Sequence, residues 1–323
     1  MASSENKSRT ESARGIITYL EHKMIFLKNN NNETTLPSGA DAATELTRAT
    51  NILLERNGGD LEGARLDSKI LLATVLAIEV NDLEFIKNMK LGAQQREKFN
   101  SHIARRLRGE PISKIIGRRA FWNNFFMVDS RVLDPRPDSE TLVEAVLKDF
   151  QEPSKIKGEL KILDLGVGSG CLLLTLLGIF NRAKGLGVDI DPGALAVAKA
   201  NSMSLEIENA EFILNNWNDG LEGAFDLVLS NPPYIKSGDI ISLDDEVRFY
   251  DPKIALDGGE DGLACFRYIA ANIKKNLTAE SRIYIEVGQG QSEDVAEIFE
   301  RNNFKLLRIE KDLRGISRVL VFR

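Results

Sequence analysis

Histidine and cysteine are scarce: the 323 residues hold two of each, which narrows the chemistry. His22 and His102 both lie far upstream of the glycine-rich and Asn-Pro-Pro elements described below. That removes serine-triad, histidine–metal and histidine general-base schemes, and each histidine is expected on a surface helix. Cys171 and Cys265 form no C-x-x-C pair, so neither a disulfide framework nor a zinc site is expected. No metal is called for, and a reducing cytoplasm is the simple setting. Apolar runs of about 18 residues are lacking, so no membrane-spanning helix is expected. The N-terminus lacks the apolar core of a signal peptide, and Glu5, Glu11 and Glu21 offset the basic residues a transit peptide would show. Excess positive charge is missing too: 42 Lys and Arg stand against 48 Asp and Glu, a formal net charge of -6. Direct nucleic-acid binding needs clustered cations and is not expected; a basic protein partner fits better.

What is present is ordinary for a globular enzyme. Hydrophobic residues make up 43% and charged residues 28%, and the length calls for one large domain plus a smaller one. Residues 1–40 read as an N-terminal extension, with a short helix over 16–27, a polar run at 29–32, Pro37 and a second candidate start at Met24. Over 41–111 apolar residues recur at helical spacing, as in Leu46, Ile52 and Leu53, then Leu66, Ile70 and Leu71, then Phe99, Ile103 and Leu107. This predicts a small helical domain. Residues 112–133 change character, with Phe121, Trp122, Phe125, Phe126 and Val128 around Asn123 and Asn124, and read as a β-hairpin linker over 115–133. From 134 to 323 strand-like and helix-like segments alternate: strands at 161–164, 185–189, 210–214, 225–229 and 282–287, helices at 171–180, 192–202, 262–276 and 292–302. Alternation of that kind predicts an α/β domain with a parallel sheet. The last runs, 304–309 and 317–322, predict an antiparallel pair at the sheet edge.

Two loops carry the chemistry. The apolar strand at 161–164 enters Leu165-Gly166-Val167-Gly168-Ser169-Gly170 and then a helix. Glycines let backbone approach a nucleotide-like ligand, and the helix start offers free N–H groups. A dinucleotide fingerprint would need its third glycine at 171, where Cys171 stands; the G-x-G-x-G spacing is the version common in methyltransferases. Asp189 ends the next strand, 25 positions after Asp164, where a carboxylate can accept from both hydroxyls of a ribose. Asp191 and Pro192 have a simpler reading as a helix cap.

The second loop, Asn231-Pro232-Pro233-Tyr234, follows the strand at 225–229, at the sheet end where open parallel sheets hold their ligands. Asn and Pro also build ordinary turns. Beside a cofactor loop, however, the four residues suit transfer to a planar nitrogen, either an amide or the exocyclic amine of adenine. Its lone pair is delocalised and must be localised before attack. An Asn231 side-chain oxygen and a Pro232 carbonyl, each accepting one N–H, would pyramidalise the nitrogen and stabilise its developing charge. Pro232 and Pro233 fix the backbone and offer no competing donor, and Tyr234 can pack on the planar group.

These residues, together with Gly109-Glu-Pro-Ile-Ser-Lys-Ile-Ile-Gly117, Phe121-Trp122, Asp134-Pro-Arg-Pro-Asp-Ser-Glu140 and Asp251-Pro-Lys-Ile-Ala-Leu-Asp-Gly-Gly-Glu-Asp-Gly-Leu263, make residues 41–323 resemble the PrmC/HemK family of release factor glutamine methyltransferases. The resemblance implies a class I (Rossmann-like) methyltransferase sheet with a small N-terminal helical domain and a linking β-hairpin. It implies S-adenosylmethionine as cofactor and the glutamine of the Gly-Gly-Gln loop in peptide chain release factors as target. By the same resemblance Gly166, Val167, Gly168, Ser169, Gly170 and Asp189 hold the cofactor and Trp217 lies near its adenine. Asn231 touches cofactor and amide, and Pro232, Pro233 and Tyr234 frame the glutamine. Val167 and Ser139 stand where the family often has Thr, and Asn216 where it often has Asp. The helical domain is a candidate docking surface or a stabilising cap. The alternatives are a ribosomal-protein glutamine, an adenine amine of nucleic acid, and a scaffold that binds cofactor without turnover. The adenine reading lacks a basic insert that could manage base flipping.

Overall fold

The structure is a computed structural model and describes residues 40–150 and 159–323. Positions 1–39 of the expected extension, including the helix over 16–27 and His22, lie outside the described residues. The chain divides into two compact units, with the boundary after Gly117.

The first unit is helical: α1 (Ala42–Arg56), α2 (Leu61–Leu76), α3 (Ala93–Leu107) and α4 (Ile112–Ile116). Its starts are set by aspartates whose carboxylates accept otherwise unpaired backbone N–H groups, Asp41 from Thr44 at 2.8 Å and Asp60 from Gly63 at 3.0 Å. Ala49, Leu53, Leu71, Leu72, Phe99 and Ile103 form its core, and Arg106 of α3 reaches Asp67 of α2 at 2.7 Å. The helical spacing extends further than the buried face, since Leu66 and Leu107 are exposed. His102, expected on the surface, is buried on α3. Burial, together with Lys98 and Arg105, lowers its pKa, because desolvation penalises the charged imidazolium. Sequence spacing put it on a helix but could not tell which face.

Residues 112–116, expected to open the hairpin, are instead α4, which ends at Gly117 in the left-handed conformation (φ 75°). The hairpin is shorter than expected: β1 (Arg118–Phe121) pairs antiparallel with β2 (Asn124–Met127). Its positive-φ position is Trp122 (φ 54°), while Asn124, expected in the turn, already belongs to the strand.

The longer elements of the rest of the second unit are α5 (Glu140–Asp149), β3 (Lys161–Leu165), α6 (Cys171–Ile179), β4 (Lys184–Asp189), α7 (Pro192–Ser204), β5 (Ala210–Leu214), β6 (Phe225–Ser230), α8 (Ala264–Asn272), β7 (Leu277–Glu286), α9 (Ser292–Arg301), β8 (Leu306–Lys311) and β9 (Ser317–Phe322). The seven strands lie in the order β5-β4-β3-β6-β7-β9-β8. The first five are parallel, and β9 runs antiparallel to both β7 and β8. This is the α/β, Rossmann-like architecture. β9 inserts between β7 and β8, so only β8 of the terminal pair is an edge.

Strand alternation sends Ile162, Leu227, Leu229, Tyr284 and Val321 to one face, against α5, α6 and α7. Leu163, Val228, Ile283, Ile285 and Phe322 go to the other, against α8 and α9. Because both faces are covered, the central strands read as continuous apolar runs. Each fully buried Leu, Ile or Phe contributes roughly 1.5–3 kcal/mol. β7 begins at Leu277, earlier than the expected 282, and the helix expected over 262–276 is α8 plus a 3-10 turn at Ile273–Asn276. Among the described residues no helix is long and apolar enough to cross a membrane.

Candidate active site

β3 has β4 on one side and β6 on the other, so the connections leaving β3 and β6 diverge at their carboxyl ends and open a crevice, the usual ligand position in such sheets. A cavity of about 270 Å³ lies there. The loop after β3 supplies Gly166, Val167, Gly168 and Ser169, β4 supplies Val188 and Asp189, and Trp217 comes from the loop after β5. Asn231 and Pro233 follow β6, Arg136 and Ser139 precede α5, and Pro252, Ile254, Ala255 and Asp257 are among the other lining residues. Gly170, Pro232 and Tyr234 do not line it.

The glycine half is held by backbone. Gly166, Gly168 and Gly170 all have positive φ (77°, 53° and 81°), a conformation in which a side chain would be strained. The N–H groups of Gly166 and Val167 both donate to the Val188 carbonyl at 2.9 Å. Asp189 receives Gly168 N–H on Oδ2 at 2.9 Å and Asp191 N–H on Oδ1 at 3.0 Å. Its carboxylate therefore ties the loop to β4 and still has lone pairs for another donor. Burial raises its pKa. Asp191 caps α7 by accepting Gly193 N–H at 2.7 Å. Trp217 has φ 51°, and its ring lies 3.6 Å from where a Cβ on Gly166 would stand. Asp164, beneath the loop, is fully buried with neither carboxyl oxygen hydrogen-bonded, and burial pushes it up to about 7.

The other half is held by side chains. The Ser230 hydroxyl donates to the Leu165 carbonyl at 2.7 Å, locking the end of β6 to the end of β3. Asn231 Nδ2 donates to Ser139 Oγ at 3.2 Å. Gln291 Nε2 donates to the Tyr234 carbonyl at 3.0 Å, and burial pushes the Tyr234 phenol up to about 12. After Tyr234 the chain folds back on itself: Ile235 pairs with Asp257, and Ile235 N–H reaches the Leu256 carbonyl at 3.0 Å. Gly258 makes this close return possible, since a Cβ there would meet Pro233 O and Tyr234 Cα at 2.8 Å. Arg136 pairs with Asp251 at 2.7 Å, which joins the 134–140 element to the 251–263 loop.

Cys171 and Cys265 also line the cavity. Burial pushes their thiols up to about 12 and about 11, so neither is a ready nucleophile. Among the described residues no group of three or more His, Cys, Asp or Glu is placed to hold a metal. Sequence reasoning missed Gln291 and Glu286 at this site and noted Ser139 only as a variation within the 134–140 element. The sequence signal available for them was no more than their place at the end of the last parallel strand and in the short loop beyond it.

Two family models match the chain: a methyltransferase domain over residues 156–313 and a PrmC N-terminal domain over residues 45–117. A release factor glutamine methyltransferase of Rhodospirillum rubrum is 41% identical to this chain, over 81% of it and 80% of that relative. Relatives of the same name are 38% identical in Agrobacterium fabrum (80% of this chain, 90% of the relative) and 39% in Caulobacter vibrioides (79% and 88%). With that identity over four-fifths of both sequences, and with its glycine loop and Asn-Pro-Pro-Tyr loop meeting at one cavity, the chain belongs to the release factor glutamine methyltransferase family.

Proposed function

We propose that this enzyme transfers a methyl group from S-adenosylmethionine to the side-chain amide nitrogen of the glutamine in the Gly-Gly-Gln motif of peptide chain release factors. The observation that carries this reading is the convergence of the β3 glycine loop and Asn231 on one cavity at the switch between β3 and β6. The residues fit the cofactor: Gly166 and Gly168 keep Cβ atoms off the cavity wall, and a Cβ placed on Gly168 would meet open space. Asp189 has spare acceptor capacity for ribose hydroxyls, and Trp217 offers a flat apolar wall for an adenine. Val167, Ser169 and Gly170 complete the loop.

Bound S-adenosylmethionine supplies a methyl on a positively charged sulfur, which is an excellent leaving group. The protein's share is therefore alignment more than acid or base assistance. The Asn231 side-chain carbonyl and the Pro232 backbone carbonyl accept the two N–H groups of the glutamine amide. That frees the nitrogen lone pair and stabilises the positive charge growing on nitrogen. Pro232 and Pro233 hold the backbone rigid, and Tyr234, fixed by Gln291, packs beside the amide. The helical unit up to Gly117 acts as the docking domain for the release factor, the unit from Arg118 is catalytic, and the enzyme works in the cytoplasm. The net charge of -6 supports a protein substrate over direct contact with nucleic acid.

Intact-mass spectrometry of a release factor incubated with enzyme and S-adenosylmethionine tests the reading. A single methyl addition is expected, lost when the Gly-Gly-Gln glutamine is replaced. Addition that persists on the replaced substrate would reject the assigned site.

A further inference from the structure

Glu286 is the last residue of β7 and is 1% exposed, yet neither cofactor nor glutamine needs it directly. Its place follows from the register. Ser230 of β6 pairs with Ile285 of β7, so the next residues, Asn231 and Glu286, leave adjacent parallel strands side by side. Burial raises the Glu286 pKa, and the nearby Ser139 and Asn231 side chains partly offset that rise; Asn231 Nδ2 donates to Ser139 Oγ at 3.2 Å. Glu286 Oε2 has no hydrogen-bond partner. The charged groups facing it are Arg318 from β9 and Asp138 from the turn before α5. Arg318 is itself held by Asp312 at 3.0 Å and Asp138 at 3.3 Å. The Tyr234 phenol and the Cys171 thiol are the other titratable neighbours.

The hydrogen-bond inventory gives this arrangement a consequence. An asparagine amide has a donor end and an acceptor end of nearly equal shape, so its neighbours decide which way it faces. An ionised carboxylate only accepts. Set beside it, Asn231 must turn its NH2 toward the carboxylate and Ser139, which leaves Oδ1 free for an incoming N–H. We propose that Glu286 is a positioning residue that, with Ser139, fixes the amide orientation of Asn231 and so presents the acceptor that transfer to an amide requires. A protonated Glu286 can donate, and Asn231 is then no longer held in one orientation. Burial pushes the carboxyl up to about 7, so the change falls within the range over which the enzyme can be assayed. The rate should drop as pH falls below that value.

The rate test rests on the glutamine-amide reading, so a second readout is taken that does not. Wild type, Glu286→Gln and Glu286→Asp are compared by calorimetry for cofactor affinity, by intact mass for kcat and KM on a release factor across pH, and by the side-chain 15N amide resonance of Asn231. The Gln variant is expected to bind cofactor and release factor as wild type does, to lose about a hundredfold in kcat, and to show no acid limb. The Asp variant, which keeps an acceptor-only group, should recover part of the rate. In wild type the Asn231 resonance should titrate with a midpoint near 7; in the Gln variant it should not. An unchanged kcat and pH profile in the Gln variant overturns the proposal. So does a joint loss of cofactor binding and thermal stability with an unaltered Asn231 resonance, which marks a packing role. If wild type methylates no release factor, the substrate reading fails and the resonance titration alone decides the role of Glu286.

Discussion

The two halves of the cavity are built by different means. The glycine half is a backbone structure: three positive-φ glycines, N–H bonds from Gly166 and Val167 to Val188, and one carboxylate, Asp189, tying the loop to β4. The Asn231 half is a side-chain structure, in which Ser139 and Gln291 arrive from distant segments to hold the loop and Glu286 ends the adjacent strand beside it. Backbone geometry suits a ligand that must be gripped equally well before and during the reaction. Fixed side-chain dipoles suit charge that appears only during transfer. Damage to one half should therefore change binding, and damage to the other should change turnover.

The sharpest division should come from Asn231→Ala, which removes the acceptor that the proposed mechanism relies on as charge develops. A loss of about 10²–10³-fold in kcat is expected, with cofactor affinity by calorimetry nearly unchanged; equal losses in both would break the distinction. Asp189→Ala should do the reverse. It removes an ionised acceptor and frees the loop, so cofactor binding should weaken by about 1.5–3 kcal/mol, while kcat at saturating cofactor falls less.

Gly258→Ala probes the seam between backbone and side-chain control. Its Cβ would press on Pro233 O and Tyr234 Cα, and overpacking of that kind costs about 1–3 kcal/mol. Denaturant midpoints should report that loss, and kcat should fall while cofactor affinity holds. The smallest effect is on stability against pH. Burial raises Asp164 and Glu286 to about 7 from 3.8 and 4.5, so the folded state binds more protons than the unfolded state between those limits. Their contribution is complete below about pH 4 and declines as pH rises toward 7. Urea midpoints should reflect that decline, and Glu286→Gln should flatten part of it.

The glycine half was legible in the sequence because its determinants are neighbours in the chain: an apolar strand, a run of glycines and, one strand later, an aspartate. Asn231 to Tyr234 could be located but not explained. Gln291 and Glu286 meet that loop only because β7 lies beside β6, and a glutamate ending a buried strand looks like any strand end. His102 shows the same limit in the helical unit, where periodicity identified the helix but the packing of α1, α2 and α3 chose the buried face. The Trp122 turn is a further case, since turn propensity favoured the asparagines beside it.

What the sequence determined by itself, then, was whatever depends on local backbone preference and alternation. That covers the parallel α/β sheet, the glycine loop at the end of its first strand, and the Asn-Pro-Pro-Tyr loop at the end of its fourth. Tertiary structure alone decided which polar groups are removed from water together. It placed the buried Glu286 and Ser139 beside the half-buried Asn231, with Arg318 close by. Desolvation acts on a group through its spatial neighbours, and no one-dimensional order of residues records them.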